Sequence, residues 1–172
     1  MGRITWIGWI VGLVLVAGTA LPVGSARAAA PEPSSAPRTT ALTTGQFEAQ
    51  LLALTNARRA QVGCKAVKRN TALVKAARKH TRKMVAAGNL SHQLPRELGL
   101  AKRITKAGYK RWTGLAENIA WGAGTPKATF TMWMNSPGHR ANIQRCSYKE
   151  AGFGVRYSKG RPWVTLDLGS RR

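Results

Sequence analysis

Acidic residues are scarce in this sequence, and their shortage decides what kind of surface the protein can present. Six Asp and Glu stand against 28 Lys and Arg in 172 residues, which gives a formal net charge of +22 at pH 7. A field of this sign attracts anionic polymers, membranes and nucleic acid before any specific contact forms. The alternative is a cationic surface that keeps the protein soluble and has no dedicated partner.

Cysteine and histidine are also scarce, with two and three copies respectively. No histidine adjoins Cys64 or Cys146 in the sequence, so neither thiol is expected to be a catalytic nucleophile. The histidine spacing matches no local zinc motif such as H-E-x-x-H, which excludes a zinc site built on a single helix. No cysteine lies near the N-terminal apolar segment, which argues against a lipid-modified cysteine there. Internal repeats are absent as well.

A long uncharged run stands at the N-terminus, where Arg3 is followed by 23 residues without charge, Ile4 to Ala26. A short basic start, an apolar core and an A-x-A site are typical of a secretory signal. Residues 1–28 are therefore predicted to be a signal peptide cleaved after Ala28. The run is also long enough to span a bilayer, so an uncleaved membrane anchor is the alternative.

Export has consequences for charge, partners and thiols. Removing residues 1–28 takes away Arg3 and Arg27 and no acid, which lowers the net charge from +22 to +20. Nucleic acid is then disfavoured as a natural partner, whereas anionic cell-wall polymers and lipid head groups are better candidates. In an oxidising compartment a lone pair of cysteines usually bonds, so a Cys64–Cys146 disulfide is predicted. Two free buried thiols are the alternative.

Beyond the signal, composition divides the chain into a linker and one domain. Residues 29–45 are rich in Pro, Ser, Thr and Ala and hold almost no large apolar groups, so they are predicted to be a disordered linker. The domain is predicted over residues 46–172, with a capping box between Thr43 and Gln46 opening its first helix. Helices come first and paired strands last, which indicates an α+β domain. We expect a monomer.

Hydrophobic periodicity locates the secondary structure of this domain. The predicted elements are a helix ending at Gly63, a helix over Thr71–Ala87, a helix with Pro95 in its first turn, a helix opened by Thr125-Pro126, and a C-terminal hairpin of Ala151–Tyr157 with Trp163–Leu168. The face of the first helix is predicted to carry Phe47, Leu51, Leu54 and Arg58.

The second predicted helix has two contrasting faces. One is a buried stripe made of Leu73, Ala77, His80 and Met84. The other is a basic ridge made of Lys75, Arg78, Lys79, Arg82 and Lys83. His80 is a candidate metal ligand, additional to histidines elsewhere in the chain. However, a lone histidine on an apolar stripe is more often a hydrogen-bonded core residue.

Two short stretches carry unusual polar residues. A Ser136-Pro137-Gly138 turn delivers His139 and Arg140 onto a new helical turn between apolar segments. Glu117 is flanked by apolar residues on both sides, which is an unfavourable setting for a carboxylate unless it has a partner.

These stretches, read as W-M-N-S-P-G-H-R-A-N-I and A-E-N-I-A, resemble motifs of the CAP superfamily. That superfamily comprises cysteine-rich secretory proteins, antigen 5 and plant pathogenesis-related proteins, and the likeness is to its bacterial SCP-like branch. Ser91-His92, Asn56-x-x-Arg59 and Ala107-Gly108-Tyr109 add to the resemblance, which covers roughly Gln46 to Gly169. It implies a three-layer α-β-α sandwich and a central cavity lined by His92, Glu117 and His139, with Ser136 and Arg140 beside them.

The three cavity residues form a His₂Glu set, which contains the ligand types of an open zinc site. Zinc or another divalent metal is therefore the cofactor that this set would hold. In eukaryotic members of the superfamily a second glutamate completes a tetrad, and Ser136 stands at that position here. Serine is neither a strong base nor a usual zinc ligand, so the departure argues against catalysis.

Three interpretations of the cavity follow. We favour an extracellular, cell-wall-associated binding module whose basic surface contacts anionic polymer or lipid. The second is a metal-dependent hydrolase in which Glu117 acts as general base and His92 and His139 as metal ligands. The third is a buried carboxylate that serves stability alone. Binding of a small lipid is a weaker branch, taken from some eukaryotic relatives.

Two polar neighbours have alternative roles. Arg140 either orients an anionic ligand beside His139 or, as is more common, caps a helix end. Asn118 is expected to bond the backbone rather than a substrate.

Overall fold

The computed structural model describes residues 42–172, and these form a layered α+β domain. The signal peptide predicted over residues 1–28 and residues 29–41 of the predicted linker lie outside the described residues. Among residues 42–172, none of the helices combines the length and the hydropathy that crossing a bilayer requires.

Five helices and four strands follow one another along the described residues. In chain order they are α1 (Thr44–Gln61), β1 (Lys68–Arg69), α2 (Thr71–Ala87), α3 (Leu100–Lys106), β2 (Trp112–Trp121), α4 (Pro126–Asn135), α5 (Pro137–Gln144), β3 (Glu150–Ser158) and β4 (Arg161–Arg171). The sheet order is β1-β3-β4-β2, in which β1 pairs parallel with β3 and the remaining pairs are antiparallel.

The sheet lies between two layers of helices. Apolar residues of α1, α4 and α5 pack with Val164, Leu166 and Leu168 on one face of β4. On the opposite face, α2 and α3 contribute Leu73 and Ile104 to a second buried cluster. The predicted α+β class and the three-layer α-β-α sandwich are therefore confirmed, as is the C-terminal hairpin that β3 and β4 form.

Helix α1 begins where the capping box predicts, because the Thr43 side chain accepts from the Gln46 backbone and Gln46 accepts from the Thr43 backbone. Its first residue, Thr44, lies two positions before the predicted domain boundary. The predicted face of α1 was wrong toward the C-terminal end of the helix, since Leu54 and Arg58 are only half-buried. The buried residues of the helix are Phe47, Glu48, Leu51, Thr55 and Arg59.

The buried face of α1 ends at Arg59 rather than at the predicted Arg58, because the Arg59 guanidinium has hydrogen-bond partners in the interior. Arg59 is fully buried and donates to four backbone carbonyls, those of Lys65, Ile143, Arg145 and Tyr148. These carbonyls belong to the loop after α1, to the last turn of α5 and to the segment that joins α5 to β3. Arg59 therefore fastens two irregular stretches to the first helix.

The predicted disulfide reinforces the same junction. Cys64, just past α1, bonds to Cys146, just past α5, with a Cα–Cα distance of 4.9 Å. The prediction of this disulfide is confirmed. Closing a loop of this length is worth about 4–5 kcal/mol when estimated from the chain entropy of the unfolded state.

Helix α2 has the predicted bounds, with Asn70 capping its first turn and Gly88 ending it in the left-handed region. The predicted stripe of Leu73, Ala77, His80 and Met84 is buried, and the basic ridge lies on the outer side. The helix lies unusually close to the sheet. A Cβ on Gly152 would come within 2.2 Å of the α2 backbone, and one on Gly154 within 2.4 Å.

The helix expected from Pro95 onwards begins only at Leu100, so that prediction was wrong. Pro95 and Arg96 form a turn in which the Glu97 N–H bonds to the Leu94 carbonyl. Arg96 has φ of 61°, a left-handed conformation that interrupts a helix. The turn directs the Glu97 side chain inward, where it meets His80.

We predict that Arg59→Met lowers the free energy of unfolding by about 3–5 kcal/mol, because buried carbonyls lose a charged donor. Arg58→Met, one residue away and half-buried, serves as the control and should change stability by less than about 1 kcal/mol. Urea denaturation measures both variants. Equal losses in the two variants would show that the Arg59 hydrogen bonds carry no special weight.

Candidate functional site

The candidate site is built around a buried carboxylate on an edge strand. Glu117 lies at the middle of β2, and its side chain is almost fully buried. Nδ1 of His92, from the loop after α2, lies 2.8 Å from Oε1 of Glu117. Arg103, from α3, donates from one Nη to Oε2 and from the other to the His92 carbonyl. Both oxygens of the acid are thus occupied by basic side chains.

These partners keep the Glu117 carboxyl ionised. Burial alone would raise its pKa, but the hydrogen bond from His92, the charge and hydrogen bond of Arg103, and the nearby His80 together hold the pKa below its usual value. The partners explain how a chain with few acids can place one of them between apolar neighbours.

His139 approaches the same edge of the sheet from the opposite helical layer. Its ring centroid lies 6.5 Å from that of His92, and its backbone carbonyl accepts from the Asn118 amide on β2. Asn142 donates to Asn118 in turn, so Asn118 bonds the backbone as expected. Burial, and then the charge of His92, lower the pKa of His139.

The other two predicted cavity residues make different contacts. Ser136 joins α4 to α5, its N–H bonds to the Trp133 carbonyl, and its side chain forms no capping hydrogen bond. Arg140 donates to the Met134 carbonyl over 2.6 Å. It also lines a surface pocket with Arg58 and Phe130, to which neither Glu117 nor His92 contributes. Arg140 therefore caps the C-terminal end of α4.

His80 lies directly behind this site and is a satisfied core residue. It is fully buried, with Nδ1 2.9 Å from a Glu97 carboxylate oxygen and Nε2 3.0 Å from the Ser91 carbonyl. Its Nε2 is 3.8 Å from Oε2 of Glu117. Glu97 and Ser91 orient the ring, and they tie the loop that carries His92 to helix α2.

Two residues that matter to this site were not predicted. Arg103 supplies the main counter-charge, and nothing in its short helix distinguished it from the neighbouring cations. Asp167 pairs in register with Glu117 across β2 and β4. It is fully buried, and within residues 42–172 its side-chain partner is Glu117, to which it can donate a hydrogen bond only when it is protonated. A lone acid in an apolar strand, the signal that singled out Glu117, would also have found Asp167.

Asp167 and Glu117 have opposite protonation tendencies. Burial, and then the negative charge of Glu117, raise the pKa of Asp167 well above its usual value. The two adjacent buried carboxyls therefore have pKa values displaced in opposite directions, because negative charge on one disfavours negative charge on the other.

The His₂Glu set as arranged does not fit a divalent metal. Both Glu117 oxygens are already bonded, one of them to the positive charge of Arg103, which repels a second cation. In the described part of the chain, no three His, Cys, Asp or Glu side chains are grouped as metal ligands. We therefore derive no chemistry that passes through a metal.

The chemistry that remains is proton handling at His92. Its side chain is about half exposed (57%), and its Nδ1 is held by an ionised carboxylate. Such a dyad can accept a proton at Nε2. Within residues 42–172, no hydrogen bond joins His92 to a serine, threonine or cysteine side chain that could act as a nucleophile.

Comparison with known proteins identifies the family. The cysteine-rich secretory protein family, CAP, matches residues 52–167. YkwD of Bacillus subtilis is 32% identical over 123 residues, which cover 72% of this chain and 47% of YkwD. The chain therefore belongs to the CAP family, as its motifs predicted.

Solved structures show the same fold. An extracellular protein containing an SCP domain from Bacillus anthracis superposes with a TM-score of 0.68 at 24% identity, over 76% of this chain and 44% of that one. An outer surface protein from Borrelia burgdorferi gives a TM-score of 0.70 at 17% identity, over 76% of this chain and 97% of that one. The chain spans less than half of YkwD and of the B. anthracis protein, so those two likenesses concern part of each.

We predict that Asp167→Asn stabilises the protein progressively as pH rises. A carboxyl whose pKa is raised by folding favours the folded state below its unfolded pKa, near 3.8, and opposes folding increasingly above it. The cost grows by about 1.4 kcal/mol per pH unit until the folded pKa is reached. Urea denaturation across pH should show little difference from the wild type at about pH 3 and a more stable variant at neutral pH.

Glu117→Gln is the matched comparison and should behave in the opposite way. The lowered pKa of Glu117 stabilises the fold above the unfolded value of 4.5, and that stability is lost as pH falls through the folded pKa. The Gln variant should therefore be less stable than the wild type at pH 7 and approach it in acid. A shared sign for the two variants would contradict the opposite protonation of this pair.

We also predict that zinc does not bind stoichiometrically at neutral pH, because Arg103 and His92 occupy Glu117. Metal analysis and calorimetric zinc titration of the wild type and of His92→Ala/His139→Ala should give the same result. One zinc per chain in the wild type, lost in the double variant, would contradict this prediction and support a metal site at these histidines.

Proposed function

We propose that this protein is an exported, non-catalytic binding module that holds an anionic polymer of the cell envelope on a cationic surface. The observation that carries the proposal is where the acids lie. Glu48, Glu97, Glu117 and Asp167 are buried, and half-buried Glu150 is paired with Arg171. No acid of the described part of the chain is exposed.

The buried acids form internal contacts and so leave the outer cations uncompensated. Glu48 bonds Arg78 of α2 and the Val155 N–H of β3. Glu150 accepts from Asn70 and Tyr109 as well as from Arg171. Unneutralised lysine and arginine side chains therefore face solvent, where they favour a polyanion over a neutral partner.

The distribution of these cations favours a polymer over a flat membrane. Lys75 and Lys79 on α2 are exposed in one helical layer, and so is Lys102 on α3. Lys127 on α4 is exposed in the other layer, and Lys159 is exposed in the turn between β3 and β4. A flexible polyanion can follow cations around the domain, whereas a planar bilayer meets one side at a time.

The Glu117 cluster acts as a support in this proposal. It holds the loop that carries His92 and helix α3 against the edge of the sheet. The poor fit for a metal argues against the metal-dependent hydrolase alternative. Three findings support an extracellular location: the disulfide, the secretory family and the B. anthracis neighbour, which is described as extracellular.

The test measures retention of the purified protein on immobilised, phosphate-containing wall polymer. Retention should fall steeply as salt rises from about 0.1 M to about 1 M, because the screening length falls from about 10 Å to 3 Å. Lys75→Gln/Lys79→Gln and Lys127→Gln/Lys159→Gln remove two charges each from different parts of the domain, and both should weaken retention.

Two results would count against the proposal. Retention that is insensitive to salt would show that charge does not drive binding. Stronger binding to vesicles of phosphatidylglycerol than to wall polymer, with only one of the two double variants affected, would favour a membrane surface.

A further inference from the structure

A cavity of about 270 Å³ lies against α2, α3 and the turn that joins them, apart from the edge where His92 and His139 meet. Six cationic side chains line it: Lys75, Lys79, Lys83, Arg96, Arg103 and Lys106. Glu97 is its one acidic lining residue within the described part of the chain, and buried His80 forms part of its wall. The cavity is thus strongly positive and partly enclosed.

Most of these cations have no internal partner. Lys83 lies 3.4 Å from Glu97, and Arg103 is paired with Glu117. Lys75, Lys79, Arg96 and Lys106 make no ion pair with an acid in residues 42–172. Like charges this close repel one another, so the arrangement is unfavourable unless an anion joins it.

Arg103 supplies a second, independent observation. Its side chain is more than nine-tenths buried, and its two Nη groups bond His92 and Glu117. Its Nε–H has no hydrogen-bond partner within residues 42–172. This Nε is itself out of solvent contact, so Arg103 acts on the cavity through the positive charge it adds to the wall, which favours an anion there.

Arg96 lies in the solvent-exposed turn between α2 and α3 and contributes one of the unpaired cations to the cavity wall. Its φ of 61° is a left-handed conformation, which Arg111 and Lys159 also adopt outside the cavity. The position of the Arg96 side chain on the wall, rather than its backbone conformation, therefore connects it with the cavity.

We propose that this cavity binds a phosphate group, and that in the exported protein the group belongs to the wall polymer. Compact oxyanions match lysine point charges and an arginine donor better than a single carboxylate does. The volume lies below the range of about 300–1,000 Å³ for sites that hold drug-sized ligands, so it suits one or two phosphate groups. Lys75, Lys79 and Lys83 recur every four residues, about 6 Å apart along α2, which lets one helix contact adjacent phosphates. The assignment of the source rests on the proposed function, whereas the phosphate site itself does not.

Calorimetric titration of the purified protein with inorganic pyrophosphate tests the site. We expect saturable one-to-one binding that Lys75→Gln/Lys79→Gln weakens by about tenfold or more, since the two lost charged contacts together are worth at least that factor. Lys127→Gln/Lys159→Gln removes the same charge outside the cavity and should change the affinity by less than about twofold. Equal weakening by both double variants, or no saturable binding, would overturn the proposal.

A spectroscopic readout locates the bound anion. The chain has three histidines, of which only His80 lines the cavity. Pyrophosphate should shift the ring signals of His80 in NMR spectra with the same midpoint as the calorimetric titration, and the shifts at His139 should be smaller. Larger shifts at His139 than at His80 would place the anion at the other site and overturn the assignment.

Arg96→Gly separates binding from folding. Glycine adopts a positive φ without strain, so the variant should keep the wild-type melting temperature while binding pyrophosphate more weakly. Unchanged affinity would remove Arg96 from the site.

Competition identifies the source of the phosphate and separates this proposal from the previous one. Soluble wall polymer should displace pyrophosphate and reverse the His80 shift, whereas displacement by phosphatidylglycerol vesicles alone would assign the group to lipid and overturn the wall-polymer source. Polymer retention without pyrophosphate binding would leave the cationic surface intact and reject the cavity. Pyrophosphate binding without polymer retention would support the phosphate cavity and reject the polymer-binding surface.

Discussion

The burial of one negative charge organises this domain. Glu117 cannot stay ionised among apolar neighbours unless cations come to it, and those cations are supplied by segments that are distant in sequence. Arg103 arrives on α3 and His92 on the loop after α2, so satisfying the carboxylate also docks these two elements against the sheet. Burial, and then the same charge, raise the pKa of Asp167 on the adjacent strand. A single desolvated group thus determines protonation, loop position and helix docking together.

The few acids of the described residues hold elements together in the interior and leave the surface without exposed acidic side chains. Each acid in the described residues except Asp167 bonds a basic side chain in the interior or at its border, as Glu48 does with Arg78 and Glu97 with His80. Acids used this way hold elements together and cannot screen the outer cations. The positive exterior and the paired interior are therefore two results of one composition.

The sequence predicted those features that depend on local patterns or on motifs. Helix α2, the capping box of α1, the C-terminal hairpin and the disulfide follow from periodicity, capping residues and cysteine count. Convergence of His92 and His139 near Glu117 followed only from the family resemblance. Arg103 was missed because its role depends on which face of α3 meets the sheet, and no spacing in the chain reveals that. The helix expected at Pro95 failed because a tertiary contact, Glu97 with His80, outweighed the local preference.

Two glycines of β3 have a consequence for how this fold can vary. At Gly152 and Gly154 the backbone of α2 occupies the space where a side chain would begin. The separation between α2 and the sheet is therefore set by the hydrogen atoms of these glycines. Alanine at either position would push α2 away from the sheet, and the helix would take with it His80, which bonds Glu97. In a saturation screen these codons should prove as intolerant as those of the ionisable cluster, although they touch no ligand. Sequence variation in this domain is then confined by steric contact on the α2 side of the sheet as well as by the charge pairing around Glu117.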